Sequence, residues 1–359
     1  MARRLLLISF IILLFIPGKS QDPVYSQFFN NPLYYNPAFV GISDGMQVRT
    51  NYRKQWPNLP GDYNSYNVSL DIASRELPGA GGIGLMIDKH NAGAGYFESI
   101  KIGIPISVRI PLAEDILIQM GIMTSFTQKS IDWNSLVFMD QLDPRFGNVY
   151  PTSFTAPTEG TITYPDFDIG LALRWFTVGY KGMEYIFTTG VSVQHVLNPN
   201  ESFFDLEAKL PKRLVVSGDV IIQNEYFERP FSAKRKSRFD FRVNPGFMFE
   251  MQQDFKAFTF GLNAYKSNLY AGAWYRAESF DFTKTNAAVF MGGITTHLSD
   301  EIRMKFMYSY DMLLSKTYSR AAGGTHELSI IFEFSEFSLI SSTKPKWSRR
   351  KTNYNFTPF

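Results

Sequence analysis

The chain has 359 residues, with 36 Lys+Arg against 33 Asp+Glu, a formal net charge of +3 and no cysteine. The absence of cysteine excludes disulfides, thiolate metal sites, a Cys nucleophile and a lipidated Cys, and the small net charge argues against nucleic acid as a partner. Aromatic residues make up 16% of the chain and charged residues only 19%, a balance unusual for a water-facing surface and expected where much of the surface faces lipid.

The chain opens with Met1-Ala2-Arg3-Arg4, an apolar run over 5–16 and then Pro17-Gly18-Lys19-Ser20-Gln21. This basic, apolar, small-residue order is that of a secretory signal peptide, here 1–20, with cleavage expected after Ser20. The apolar run is shorter than the roughly 20 residues a spanning helix needs. No later stretch is apolar for long enough to cross as a helix, so membrane residence has to come from strands. Residues 21–45 follow, rich in aromatics and with two Asn-Pro steps, Asn31-Pro32 and Asn36-Pro37, which suits a compact segment without strands.

From residue 46 onward, apolar and polar residues alternate as they do in a strand wetted on one face only. Ile100, Ile102, Ile104, Ile106, Val108 and Ile110 share one face, and Lys101, Gly103, Ser107 and Arg109 the other. Near the end, Ile302, Met304, Phe306, Tyr308 and Tyr310 oppose Arg303, Lys305, Met307, Ser309 and Asp311. Strands are predicted at 46–55, 62–74, 80–89, 96–110, 115–128, 166–178, 183–196, 210–223, 238–252, 254–265, 268–277, 286–298, 301–312 and 324–334.

A soluble sandwich also alternates, but the connections here fall into two sets. One set, near 75–79, 111–114, 179–182, 224–237, 266–267 and 299–300, is short with one exception; the other includes the long segments 129–165, 197–209, 278–285 and 313–323, although its turn at Gln253 is short. Short turns on one side and long loops on the other are the outer-membrane arrangement. The predicted fold is therefore an all-β, transmembrane, antiparallel up-and-down β-barrel of about 14 strands over 46–334, with periplasmic termini and a basic periplasmic tail at 335–359. Such a barrel is wider than the roughly eight strands that pack solid, so its lumen needs filling. Two segments can fill it, 21–45 and 129–165.

Catalytic and metal chemistry is sparse. His90, His195, His297 and His326 have no partner at metal-binding spacing, and His326 and Glu327 point to opposite faces of a strand. The Gly-rich run 79–84 lacks a following Lys-Ser/Thr and leads into a strand, which fits small residues beside a turn better than a phosphate loop. Asp140, Asp143 and Asp166 are at no EF-hand spacing, and folding of the loop is their ordinary role, with calcium the alternative. Lys344, Lys346, Trp347, Arg349, Arg350 and Lys351 form a charge run that is either a solvated tail or a docking site for an acidic periplasmic protein or anionic lipid head groups.

The run over 21–41, QDPVYSQFFNNPLYYNPAFVG, resembles the opening signature of the PorP/SprF family of type IX secretion outer-membrane proteins. VFMDQLDPRFG at 137–147, with Asp140, Gln141, Pro144 and Gly147, is similar to that family's long-loop motif, GAWYR at 272–276 to its late-strand motif and GGTHELS at 323–329 to its closing strand. The resemblance implies a barrel without enzymatic activity or cofactor, in the outer membrane, that helps to export or anchor large surface adhesins carrying a C-terminal sorting domain and contacts periplasmic type IX components. Within it, Tyr25, Phe28, Phe29, Tyr34, Tyr35, Asn36 and Pro37 are candidates for a docking surface, the alternative being that these aromatics only seal the barrel's mouth. The competing functional reading is a porin or transporter for small solutes; an outer-membrane hydrolase is a third.

Overall fold

A computed structural model describes residues 22–43, 45–59, 61, 63–73, 79–93, 96–157, 160–179, 182–204, 206–224, 241–278, 286–299, 301–314 and 323–334. The alternating segments form strands β1 (Met46–Gln55), β2 (Tyr63–Ala73), β3 (Ala80–Ala92), β4 (Phe97–Pro111) and β5 (Ile116–Ile131). Two short strands, β6 (Leu142–Asp143) and β7 (Gly147–Asn148), lie within the loop that follows. Then come β8 (Thr161–Val178), β9 (Met183–Gln194), β10 (Arg213–Asn224), β11 (Phe241–Gln252) and β12 (Phe255–Lys266). The last four are β13 (Leu269–Glu278), β14 (Asn286–His297), β15 (Ile302–Leu313) and β16 (Thr325–Phe334).

Apart from the β6–β7 hairpin, every strand pairs antiparallel with its neighbours in chain order, and β1 closes on β16 to make a fourteen-strand barrel. The closing register runs from Met46↔Phe334 to Gln55↔Thr325 without a slip. Closure leaves no strand edge unpaired, which is the condition for placing a sheet in hydrocarbon. Among the described residues no helix is long and apolar enough to cross a membrane.

The alternation read in the sequence is the in–out alternation of the wall. Ile102, Ile104, Ile106, Val108 and Ile110 are exposed on the outside, while Gly103 and Ser107 are buried toward the lumen. Phe306 and Tyr308 face outward, while Lys305, Ser309 and Asp311 face inward. The outer face is thus apolar, as a bilayer requires. Ile104→Lys places a charge near the middle of that face and is expected to destabilise the barrel in lipid vesicles by roughly 2–4 kcal/mol. Ile104→Leu should cost under about 1.5 kcal/mol; equal losses in an unfolding titration would contradict the assigned faces.

The main departure from the sequence ranges is that β8 begins at Thr161 and β5 runs on to Ile131, paired to the end at Ser130↔Thr161. Pro165 reads as a strand stop because it has no N–H for the ladder. In the barrel it sits inside β8 opposite Phe126, and the pairing continues past it. The tail at 335–359, with Lys346, Trp347, Arg349 and Arg350, lies outside the described residues.

Candidate functional site: the lumenal segment and the long loops

Residues 22–43 run through the lumen from one end to the other. The Asp22 N–H donates to Gln252 Oε1 (3.0 Å), at the end of β11 that pairs with Arg213 on the rim carrying the long loops. Further along, Ser107 Oγ donates to the Val40 carbonyl (2.8 Å) and Arg109 Nη2 to the Gly41 carbonyl (3.0 Å), near the end of β4 that adjoins the short turns. Between these points the chain makes a 3-10 turn at Phe28–Asn30, a helical turn at Pro32–Tyr35 and a second 3-10 turn at Pro37–Phe39. Proline begins the last two, where its fixed φ suits a turn and its missing N–H is no loss. The Asn36 side chain caps the third by accepting from the Ala38 N–H (2.8 Å).

Tyr25, Phe28, Phe29, Tyr34, Tyr35, Asn36 and Pro37 are all buried. Tyr25 packs edge-on against Tyr34, and Tyr34 against Tyr35, with centroids 5.1 and 5.0 Å apart. Phe28 and Phe29 sit against Trp274 of β13, and the Arg213 guanidinium lies 5.3 Å from the centres of both the Tyr34 and Tyr35 rings. Burial of each large side chain contributes roughly 1.5–3 kcal/mol. Main-chain groups of the segment are met by wall side chains: Gln194 Nε2 donates to the Tyr34 carbonyl (2.6 Å), and Glu327 accepts from the Ser26 and Gln27 N–H groups (2.7 and 3.1 Å). The residues expected to form a docking surface are thus packed into the filling of the lumen.

The wall is shaped to accept this segment. Gly82 of β3, Gly121 of β5, Gly170 of β8 and Gly190 of β9 line its path, and a Cβ at any of them meets it. At Gly82 that atom would lie 2.6 Å from the Gly41 Cα, and at Gly190 2.7 Å from Asn36 Nδ2. Asn36 Nδ2 also donates to the carbonyls of Leu171 and Val191 (3.2 and 3.3 Å). These glycines are invisible as a set in the sequence, because their contacts are with residues far away along the chain.

The end of the segment nearest the long loops is held by a buried ionic cluster that His195 joins. His195 Nε2 is 2.7 Å from Asp22 Oδ2 and Nδ1 is 2.5 Å from Asp166 Oδ2, so both ring nitrogens face carboxylates and the ring is held as imidazolium. Burial by itself lowers the His195 pKa, but Asp22 and Asp166 outweigh it and raise the value to about 9. Burial likewise pushes Asp22 up, and the charge and hydrogen bond of His195 reverse this, holding the carboxyl well below the usual range. A histidine raised from 6.5 contributes stability that is fully present below that pH and lost as pH rises through about 9. Residues 22–26 are therefore expected to gain amide exchange between pH 8 and 10 beyond the intrinsic rate, and His195→Gln should abolish that dependence.

Ligand atoms of Asp166, Asp168 and His195 lie within 4.8 Å of one another. Lys101 Nζ already pairs with Asp168 (2.9 Å) and the imidazolium with Asp166, so the set is neutralised by protein groups. Asp166 is far from its expected companions. Asp140 accepts from the Ser153 N–H (2.6 Å) and hydroxyl, and Asp143 from the N–H groups of Arg145 and Phe146 (2.7 and 2.9 Å) and the Tyr150 hydroxyl. These carboxylates fold the loop. Gln141 accepts from the Phe138 N–H (2.7 Å), Pro144 sits in the β6–β7 turn and Gly147 takes φ +76 at its close.

In the long loop none of residues 132–157 is buried, so this stretch stands outside the lumen. Trp133 holds it to the next long loop by packing on Phe154, Phe203 and Phe204, at centroid distances of 5.7, 6.0 and 5.9 Å, and Lys129 pairs with Glu201. The resulting platform leaves Met139 91% and Phe146 69% exposed, along with Val137, Leu142, Val149 and Tyr150.

No curated protein sequence matches the chain. Similar solved structures include a FadL homologue of Pseudomonas aeruginosa (9% identity, 84% of this chain and 92% of that one, TM-score 0.43). They also include Omp33 of Acinetobacter baumannii (8%, 82% and 99%, 0.36) and the toluene transporter TodX of P. putida (11%, 84% and 92%, 0.40). The family described as type IX secretion system membrane protein PorP/SprF matches residues 18–332. That match takes in the lumenal segment, the long loops and nearly all of the closing strand, and the chain belongs to this family of outer-membrane barrels.

Proposed function

We propose that this protein is a non-enzymatic barrel of the type IX secretion system that helps to export or anchor large surface adhesins bearing a C-terminal sorting domain, and that it engages them through the long-loop platform. The observation that carries this reading is the filled lumen: with residues 22–43 seated from end to end, an adhesin has no path through the barrel. Partner binding then falls to surfaces outside it. The platform supports the reading because its exposed apolar side chains are held on a frame fixed by Trp133, Asp140 and Asp143. Exposed apolar clusters on a rigid frame are what a protein partner buries. In this reading the long loops face the cell exterior and the short turns face the periplasm, where type IX components have access.

The test is purification of the native protein from the outer membrane with identification of what comes with it. A large surface protein in stoichiometric amount is expected, and it should be lost from Phe146→Asp with Met139→Asp while the barrel still migrates as folded. A barrel that purifies alone and conducts small solutes would favour the porin reading instead.

A further inference from the structure

At the short-turn end, beside the last residues of the lumenal segment, the wall encloses a recess of about 130 Å³ open to solvent. Its lining includes Arg109, Leu117, Arg174, Phe176 and Ile186, with Glu114 on the turn at its rim. We propose that this recess binds a carboxylate carried on a short apolar stem, Arg109 holding the carboxylate and Leu117, Phe176 and Ile186 the stem.

Arg109 carries the argument. Its Nη2 donates to the Gly41 carbonyl (3.0 Å), but its Nε is buried with no hydrogen-bond acceptor. A buried cationic donor without an acceptor is costly. The Nε edge of a guanidinium presents two parallel N–H groups, and a carboxylate accepts both where a carbonyl accepts one. Arg174 adds positive charge at the same floor, its Nη1 donating to the Ile42 carbonyl (3.3 Å). Asp115 on the turn is engaged elsewhere, accepting from the indole N–H of Trp175 (3.0 Å), which is exposed on the outer side of the wall, and no hydrogen bond reaches Arg109 Nε.

The rest of the recess selects the stem. Ile186 packs on Ile221 and Phe176, so the side wall is apolar and continuous. A phosphate monoester would bring roughly two charges and three strongly hydrated oxygens against that wall. Sites for drug-sized ligands are about 300–1,000 Å³, so this smaller recess takes one branched or aromatic group. Two sources share the chemistry, a peptide chain ending in an apolar residue and a short fatty acid.

The test is calorimetry on the full-length barrel in nanodiscs with N-acetyl-phenylalanine, its amide, hexanoate and hexanol as probes. The acids are expected to bind at least about tenfold more tightly than their neutral partners, the size of one charge-assisted hydrogen bond. Arg109→Gln should remove that preference. Ile186→Trp, which fills the recess and leaves Arg109 and its bond to Gly41 in place, should abolish binding of both acids and keeps the test open should Arg109→Gln fail to fold. Tighter N-acetyl-phenylalanine identifies a peptide terminus as the source and tighter hexanoate a fatty acid. Equal binding of acid and neutral probes, no binding of either acid at 10 mM, or acid binding unchanged in Ile186→Trp overturns the proposal.

Discussion

Deleting residues 22–43 is expected to turn a barrel that is silent in planar bilayers into one that conducts ions. Fourteen strands enclose more space than the roughly eight that fill with their own side chains, though less than the 16–18 of porins. In this protein the excess is taken up by one segment, from Asp22 at Gln252 to Gly41 at Arg109. The intact barrel should show no open-channel steps, and the deletion should show steps below those of a porin. Removing 140–147 is the matched control and should leave the barrel silent, because that loop stands outside the lumen with Met139 and Phe146 exposed. A paired substitution, Phe28→Asp with Phe29→Asp, keeps the length and places two charges against Trp274; partial opening is expected. Steady conductance of the intact protein would show that the segment does not seal it.

The second large effect is expected at the glycine floor. Gly170→Val puts side-chain atoms where Asn36 and Pro37 sit, and Gly121→Val does the same to Pro37 and Ala38. Each wall strand tolerates valine by propensity, which by itself favours β structure. The cost therefore comes from the displaced segment, about 1–3 kcal/mol for overpacking if it stays and an open lumen if it leaves. Unfolding titrations and bilayer recordings on the same variants separate these outcomes. Variants as stable and as silent as the parent would mean that residues 36–41 lie elsewhere.

Much of the wall was legible in the sequence, because in–out alternation has a period of two and needs only local information. All fourteen barrel strands stand where the alternation placed them, and the error at Thr161 traces to Pro165. The opposite orientations of His326 and Glu327 were legible for the same reason: Glu327 meets the Ser26 N–H in the lumen, while His326 bonds the Tyr308 hydroxyl. The filling of the lumen was only half legible. Composition marked 21–45 as compact and aromatic, but nothing local distinguishes it from 129–165 as the plug. That choice depends on contacts such as Asn36 with Leu171 and Val191 and Ser26 with Glu327, which join residues that are distant along the chain. His195 was hidden likewise, since Asp22 and Asp166 approach it only once the segment is seated.

The path of residues 22–43 is the claim on which the sealed lumen and the loop-facing function depend, and a cysteine cross-link tests it most directly. The chain has no cysteine of its own, so a bridge within it joins only introduced residues. Asn36→Cys with Gly170→Cys probes the path where it crosses β8: a Cβ at Gly170 lies 3.0 Å from Asn36 Cγ, the place a cysteine sulfur takes, which is within reach of a disulfide. In native outer membranes this pair is expected to oxidise readily, while Asn36→Cys with Ser309→Cys should not, because Gln27 is the residue that meets Ser309. Formation of the mismatched pair, or absence of the bridge between 36 and 170 in a folded barrel, would contradict the account.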